Sequence, residues 1–383
     1  MILYISKHNP FGKTGGGVLA SHALLKAFSI VVKGNIDLCC ADSIKDIDSE
    51  ISLNKINYVK KRTKWAYFTS IFTGEMHRYG GFVKQMIRSN PQKYDLVVFD
   101  HSSIGGTLVQ FVNSKGIRTI TIHHNYEPAF FADNERRRLV KFLFLRHVKH
   151  MERQSYKYSA ANLFLTSYDK QLFQQKYGET HAYNYIIGIF DYRGLKLDDY
   201  MLPANSNLST NKRHPIFVIS GSLHNVQTED GVLDFLHNYF ANLPADSELI
   251  IAGRNPSERL YRAIEGIERI RIVANPEKMD DIIRDADVYI CPIRLGGGIK
   301  LRVMDGLRNG LPVIAHEVSS RGYEDYKPCG ILHDYYDQAS FRQIISNNDF
   351  CNQKRKSFVI QKFYETFSLE SGITKVESVL KII

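Results

Sequence analysis

The feature that most constrains this chain is a pattern that occurs twice. Short, nearly continuous apolar runs alternate with longer stretches of helical periodicity, and a polar, patternless segment from Tyr192 to Lys212 separates the two series. In the first series Met1–Ser6, Leu96–Phe99 and Arg118–Ile122 read as strands and Val18–Phe28 as a helix. A helical stretch from about Arg136 to Tyr158 follows, then a strand at Asn162–Thr166 and an amphipathic helix closing on Gly178. In the second series Ile216–Ser220, Glu248–Ala252, Ile270–Val273, Val288–Cys291 and Pro312–Ala315 are strands, each followed by a helix or a glycine loop. Strands that are apolar on both faces belong in a parallel sheet covered by helices. The pattern therefore predicts an α/β chain of two tandem doubly wound units.

The 383 residues exceed one ordinary core, which agrees with two domains. Residues 1–195 are expected to form the first, 196–212 a linker and 213–357 the second, both Rossmann-like. With 44% hydrophobic and 23% charged residues, disorder is excluded. Cys39, Cys40, Cys291, Cys329 and Cys351 show neither metal-ligand spacing nor a paired framework, and read as reduced thiols of a cytoplasmic protein. The opening MILYISKHNPFGKTGGG enters a strand without a secretory n-region and h-region, and no run reaches the roughly 18 apolar residues of a membrane span. A formal charge of +10 favours an anionic partner: nucleic acid, an acidic membrane surface or a phosphorylated substrate. No nucleic-acid reader motif accompanies the basic residues, so nucleic acid is not expected as a partner.

Several segments carry chemistry. Gly15, Gly16 and Gly17 fall between the first strand and the first helix, where backbone amides can approach a phosphate or a sugar; a plain flexible turn is the alternative. The segment TITIHHNYEP gathers His123, His124, Asn125 and Glu127 at the carboxyl end of a strand. One of the two histidines is expected to be structural and the other to bond a sugar or move a proton. The second domain opens with Gly221 and Ser222 after a strand, then His224 and Asn225 before a helix from about Glu229; Ser222 and His224 could equally be a cap and a surface residue.

The richest stretch is CPIRLGGGIKLRVMDGLRNGLPVIAH, from Cys291 to His316. Gly296, Gly297, Gly298 and Ile299 free the backbone, Lys300 supplies a cation at a helix start, and Asp305 follows on that helix. Pyrophosphate needs such amides and a cation, and ribose hydroxyls need an acceptor such as a carboxylate. Each residue alone could be a turn or a solvated helix position, but the combination points to a nucleotide diphosphate site. Arg136–Lys157 is a basic run interleaved with Phe142, Leu143, Phe144 and Leu145. It is either a helix that lies on an anionic membrane or recognises a lipid diphosphate, or a solvated helix face whose apolar side packs inward.

With these motifs the chain resembles family 4 glycosyltransferases of the GT-B fold, two Rossmann-like domains facing across a cleft, over nearly its whole length. The resemblance rests on Gly15–Gly17, on His124-Asn125-x-Glu127, on Glu152, on Ala160-Ala161-Asn162 and Ser167-x-Asp169, on the GSL-x-N opening at Gly221, and on P-x-R-x-GGG-x-K-x-x-x-x-D-G-x-x-x-G-x-PV. It implies a retaining transfer from a UDP- or GDP-linked sugar to a glycan or lipid-linked glycan, in capsule, O-antigen or exopolysaccharide synthesis, with no bound cofactor or metal.

By this resemblance Lys300 and the Gly296–Gly298 amides would hold the donor diphosphate, with Arg254 or Arg294 as helpers. Asp305 would take the ribose place usually filled by glutamate, His124 would stand near the transferred sugar, and Gly16 and Gly17 near the phosphates or the acceptor. Residues 358–383 would be a helix returning to the first domain. The sequence departs from the family at Gly297, where a carboxylate is common, and around His224 and Asn225, where many relatives carry Arg and Lys. Two rival expectations are a nucleotide-sugar epimerase of the same fold and a binding protein that kept the fold without activity. The acceptor loops, including Trp65–Gly81, carry the acceptor identity in a form that the sequence does not disclose.

Overall fold

Every strand pairing between described residues is parallel, as the doubly apolar runs demand. The computed structural model describes residues 1–12, 15–41, 47–60, 65, 69, 72, 79–134, 137–201, 214–348, 350 and 355–383. Cys351, Arg136, the linker from 202 to 212 and most of the Trp65–Gly81 stretch lie outside the described residues. Two units emerge, one of Met1–Gly194 with Phe367–Ile383 and one of Leu195–Thr366.

The first unit has a seven-stranded sheet. Its strands are β1 (Ile2–Ser6), β2 (Ile36–Ala41), β3 (Lys55–Val59), β4 (Leu96–Asp100), β5 (Arg118–His123), β6 (Ala161–Phe164) and β7 (Tyr183–Ile186). Their order is β3-β2-β1-β4-β5-β6-β7, so the direction of winding reverses between β1 and β4. In such a sheet the loops that leave the carboxyl ends of those two strands diverge to opposite faces and open a crevice. β1, β2 and β4 are buried along their whole length, and Leu3, Ile5, Val97 and Phe99 share a core with Val83, Ile87, Leu108 and Val112 of the covering helices. Full burial of one such side chain contributes about 1.5–3 kcal/mol.

The second unit has a six-stranded sheet of β8 (Ile216–Ser222), β9 (Glu248–Arg254), β10 (Ile270–Ala274), β11 (Val288–Cys291), β12 (Val313–His316) and β13 (Leu332–Tyr335). The order β10-β9-β8-β11-β12-β13 reverses between β8 and β11. At the carboxyl end of β9 only glycine fits, because a Cβ on Gly253 would lie 2.0 Å from the Gly221 carbonyl oxygen of the adjacent strand.

Local chemistry explains the helix ends. Thr166 Oγ1 accepts from the Asp169 amide at 2.9 Å at the start of helix Ser167–Tyr177, and the helix stops at Gly178 with φ 74°. Asp169, counted above among the family residues, thus completes a cap: the Thr166 hydroxyl donates back to its carboxylate at 2.6 Å.

Three expectations are revised. The glycines after β1 are not a loop: Gly15 is the N-cap, with φ 100°, and Gly16 and Gly17 form the first turn of helix Gly16–Val31. The second unit's first helix begins at Val226 instead of Glu229, because the Asn225 side chain accepts from the Gln227 amide and caps it. The terminal stretch is not one helix but two, Arg355–Phe367 and Leu369–Ile382, divided where Ser368 caps the second by accepting from the Ser371 amide. Only residues from Phe367 onward join the first unit.

Candidate functional site

In the first unit β1, β4 and β5 end side by side at the winding reversal and deliver a buried polar cluster. Asp100 ends β4, and both of its carboxylate oxygens are used: Ser6 Oγ of β1 donates at 2.8 Å, and His124 Nε2, just past β5, lies at 2.6 Å from the other. A carboxylate only accepts, so His124 Nε2 carries the hydrogen. His101 stacks on His124 with centroids 3.8 Å apart and planes 8° from parallel. Its Nδ1 lies 3.2 Å from Glu127 Oε1, and Lys7 Nζ donates to Glu127 Oε2 at 3.1 Å.

Burial alone would raise the Asp100 carboxyl, but His124 beside it holds it well below the usual carboxylate range. Burial opposes ionisation of Glu127 too, and Lys7 and His101 overcome it. Burial, then neighbouring His124 and Lys7, lowers His101 to about 3, so that ring is neutral. Behind them Glu152 is fully buried and accepts from Ser102 Oγ, the Glu127 amide and Tyr177 OH. Burial and the nearby Glu127 charge raise its carboxyl, and its hydrogen bonds fix the start of the helix that carries Glu127.

His123 is the structural member of the histidine pair. Its ring packs against Phe164 and Phe173 with centroids 4.8 and 4.6 Å away, and Nε2 donates to Asn162 Oδ1 at 2.9 Å. Asn125 is buried beside the cluster, and among the described residues its Oδ1 has no partner. The exposed Gly16–Val31 helix start borders the cluster: a Cβ at Gly17 would lie 3.8 Å from His8 Nε2, and the His8 ring meets His101 edge-on at 5.1 Å. Among the described residues no side chain caps that helix and none in its first turn is acidic, a setting that favours an anion at its first amides.

Lys7, His8, Asp100 and His101 were missed by the sequence reading. The signal that found His124, polar residues immediately after an apolar strand, is equally present in Ser6-Lys7-His8 and in Asp100-His101. Asp100, His101 and His124 each bring one donor atom within 4.8 Å of the others. An imidazole binds a metal along a lone pair in its own plane. Two nearly parallel rings cannot aim such lone pairs at one ion, and His124 Nε2 is already taken by Asp100.

In the second unit the loops after β8 and β11 meet. A Cβ on Gly231 would lie 2.6 Å from the Pro292 carbonyl, and one on Gly296 would lie 2.7 Å from Gln227 Nε2, so helix Val226–Asn238 starts against the glycine loop. Gly296 and Gly298 have φ 83° and 70°, a conformation open to glycine and strained for other residues. Gly297 and Ile299 complete the loop, which is partly to fully exposed. Lys300 is buried at the start of helix Leu301–Arg308, and Nζ donates to the Gly296 and Gly297 carbonyls at 2.9 and 3.0 Å. Tyr323 OH donates to the Lys300 carbonyl at 3.0 Å and fixes this corner. Arg302, on the first turn of that helix, lies against Gly221: a Cβ there would sit 3.4 Å from its Nε.

Other sequence-selected residues face elsewhere. Asp305 is neither solvated nor open: Arg302 bonds one of its oxygens at 3.2 Å and Arg308 the other at 2.8 Å. Arg294 is turned to Asp230, with Nε and one terminal nitrogen 2.9 and 3.1 Å from its two oxygens, and to Asp234. Arg254 exposes its side chain at the end of β9, and its carbonyl accepts from the Leu223 amide at 2.9 Å, which holds the turn through Ser222 and His224. His224 is exposed, with Nδ1 3.5 Å from the same carbonyl.

Residues 214–347 match the model of the family described as glycosyl transferases group 1. Among curated protein sequences none matches the chain. In solved structures the whole chain resembles Anabaena HepE in complex with UDP, with a TM-score of 0.70 and 12% identity over 100% of both chains. It resembles sucrose-phosphate synthase from Thermosynechococcus elongatus, with a TM-score of 0.66 and 14% identity over 99% of this chain and 98% of that one. It also resembles WaaG, a glycosyltransferase involved in lipopolysaccharide biosynthesis, with a TM-score of 0.60 and 14% identity over 99% of each. Residues 214–347 are thus a group 1 glycosyltransferase domain, set in a chain that has the GT-B fold throughout.

Proposed function

We propose that the chain is a retaining glycosyltransferase that takes a sugar from a nucleotide diphosphate, UDP foremost, and delivers it to a glycan or lipid-linked glycan in surface-polysaccharide synthesis. The observation that carries this reading is the corner at the β8/β11 reversal, where Lys300, the Gly296–Gly298 backbone and two helix starts converge within the matched residues. Amides and one cation suit a diphosphate, and they stabilise the charge that grows on it as the sugar departs. The first unit's cluster supplies imidazoles for sugar hydroxyls, with His124 at the transferred sugar. UDP is the base of first choice because HepE is described in complex with it. Retention and the polysaccharide role rest on the family resemblance.

The test is calorimetric titration with UDP, GDP and UDP-glucose, followed by mass analysis of what becomes of the sugar. Binding of UDP with transfer or slow hydrolysis of UDP-glucose supports the reading, and binding of neither nucleotide sinks it. One observation favours the binding-protein alternative: the arginine clasp on Asp305 occupies the carboxylate proposed for ribose. Nucleotide binding with the sugar left intact would establish that alternative, and an epimerised sugar would point to the epimerase.

No helix of the described residues is long and apolar enough to cross a membrane. We nevertheless propose that helix Arg138–Tyr158 lies on an anionic bilayer. Leu139 and Phe142 are 70% and 74% exposed on it, beside exposed Arg146, Lys149 and Arg153. Such a face combines burial of apolar tips with attraction of about 1 kcal/mol per basic residue. The expected result is flotation with phosphatidylglycerol vesicles and not with phosphatidylcholine ones, abolished by Phe142→Ser with Leu139→Ser. Equal flotation of the double variant rejects this surface.

A further inference from the structure

Within the cluster at the β1/β4 reversal one residue is arranged more expensively than a structural role requires. His101 has φ 99°, a conformation that costs a side-chain-bearing residue and suits glycine. Its backbone is held there by its amide, which donates to the Ile122 carbonyl of β5 at 3.1 Å. Its ring is buried, yet among the described residues Nε2 has no hydrogen-bond partner, and neither has Nδ1 of the stacked His124. Native interiors satisfy most such atoms; the structural His123 also leaves Nδ1 without a partner, but among the described residues only His101 joins an unpartnered buried nitrogen to a positive φ.

The chemistry of the orphan nitrogens follows from their neighbours. Glu127 only accepts, so the hydrogen of the His101 ring sits on Nδ1. Burial, His124 and Lys7 hold the ring's proton affinity low, at about 3, which leaves Nε2 bare. His101 therefore presents a lone pair without a donor, in a ring whose orientation is set by stacking on His124 and by the edge of His8. The group that fits is an O–H donor. A cation is repelled by Lys7, and an anion has nothing to accept from Nε2.

We propose that His101 is a second sugar-binding imidazole beside His124, its Nε2 accepting a hydrogen bond from a pyranose hydroxyl. That the pyranose belongs to a donor or an acceptor of transfer rests on the glycosyltransferase reading. The hydroxyl chemistry is shared by both sources. The strained backbone is what aims the ring, because the ordinary φ range would turn the His101 Cβ away from its place over His124.

The test is nitrogen NMR of imidazole-labelled protein with UDP, UDP-glucose and free glucose, beside calorimetry of His101→Gly, the substitution that the positive φ tolerates. In the free protein Nδ1 of His101 should resonate as protonated and Nε2 as bare. UDP-glucose shifting Nε2 while UDP does not, with a roughly tenfold weaker binding of UDP-glucose by His101→Gly and unchanged UDP binding, places the donor sugar there. Glucose shifting Nε2 in the presence of UDP, with UDP-glucose binding unchanged in the variant, places the acceptor sugar there. A protonated Nε2, or an Nε2 that responds to neither sugar, overturns the proposal and leaves a buried pair bridged by internal water. Failure of UDP itself to bind counts against the transferase reading, while glucose still decides whether His101 binds a sugar.

Discussion

Acidifying the protein from pH 6.5 to pH 5 is expected to destabilise the first unit by about 3 kcal/mol. His101 and His123 are buried neutral, and burial lowers them to about 3 and about 4 from an ordinary value of 6.5. Between those values the unfolded chain binds two protons that the folded one refuses. The stability they contribute is present above pH 6.5 and is lost as the pH falls, with a limiting slope of about 2.7 kcal/mol per pH unit for two protons. Such a loss is large against the roughly 5–15 kcal/mol of an ordinary domain. His147 is shifted the same way but is only half-buried, so its contribution is smaller.

Asp100 and Glu127, held below the carboxylate range, add a second loss only under more acid conditions, as the pH falls below their ordinary values of 3.8 and 4.5. Hydrogen exchange of the β4 and β5 amides across this pH range measures the effect. In His123→Phe, whose ring fits between Phe164 and Phe173, the slope should fall to about 1.4 kcal/mol per pH unit. Protection that stays constant from pH 7 to pH 5 would show that the two rings are not buried neutral.

Lys300→Ala is expected to weaken UDP about a hundredfold and to lower kcat/KM for a UDP-sugar by a factor on the order of 10²–10³. The buried ammonium ties the Gly296 and Gly297 carbonyls and brings the positive charge at the helix start. In the proposed role its removal takes away the diphosphate's cation, and it also removes the donor to the Gly296 and Gly297 carbonyls. Lys300→Arg separates these effects: it keeps the charge but cannot place a bulky fork on two carbonyls in a buried corner. Partial UDP affinity in the arginine variant, with none in the alanine variant, identifies charge as the dominant effect. UDP affinity unchanged in Lys300→Ala removes Lys300 from the donor site.

What the sequence determined by itself is what local chemistry enforces. Apolar runs had to be buried parallel strands, Gly178 stops a helix and Lys300 opens one; that Gly296 and Gly298, and not Gly297, take the left-handed backbone shows only in the structure. The short or half-exposed strands β3, β7 and β13 escaped because their burial is incomplete and their apolar periodicity weak. β2 is buried throughout and was nonetheless passed over, so its absence is a failure of reading and not of signal.

Tertiary structure alone decided which strand ends meet. Lys7 reaches Glu127 and Asp100 reaches His124 because β4 inserts beside β1, and strand order leaves no trace in periodicity. The clasp on Asp305 is the opposite case: Arg302 and Arg308 stand three residues to either side of it on one helix, a spacing already present in the sequence. His101 depended on both, a polar residue after an apolar strand whose value as a lone pair exists only once Glu127 has taken its hydrogen.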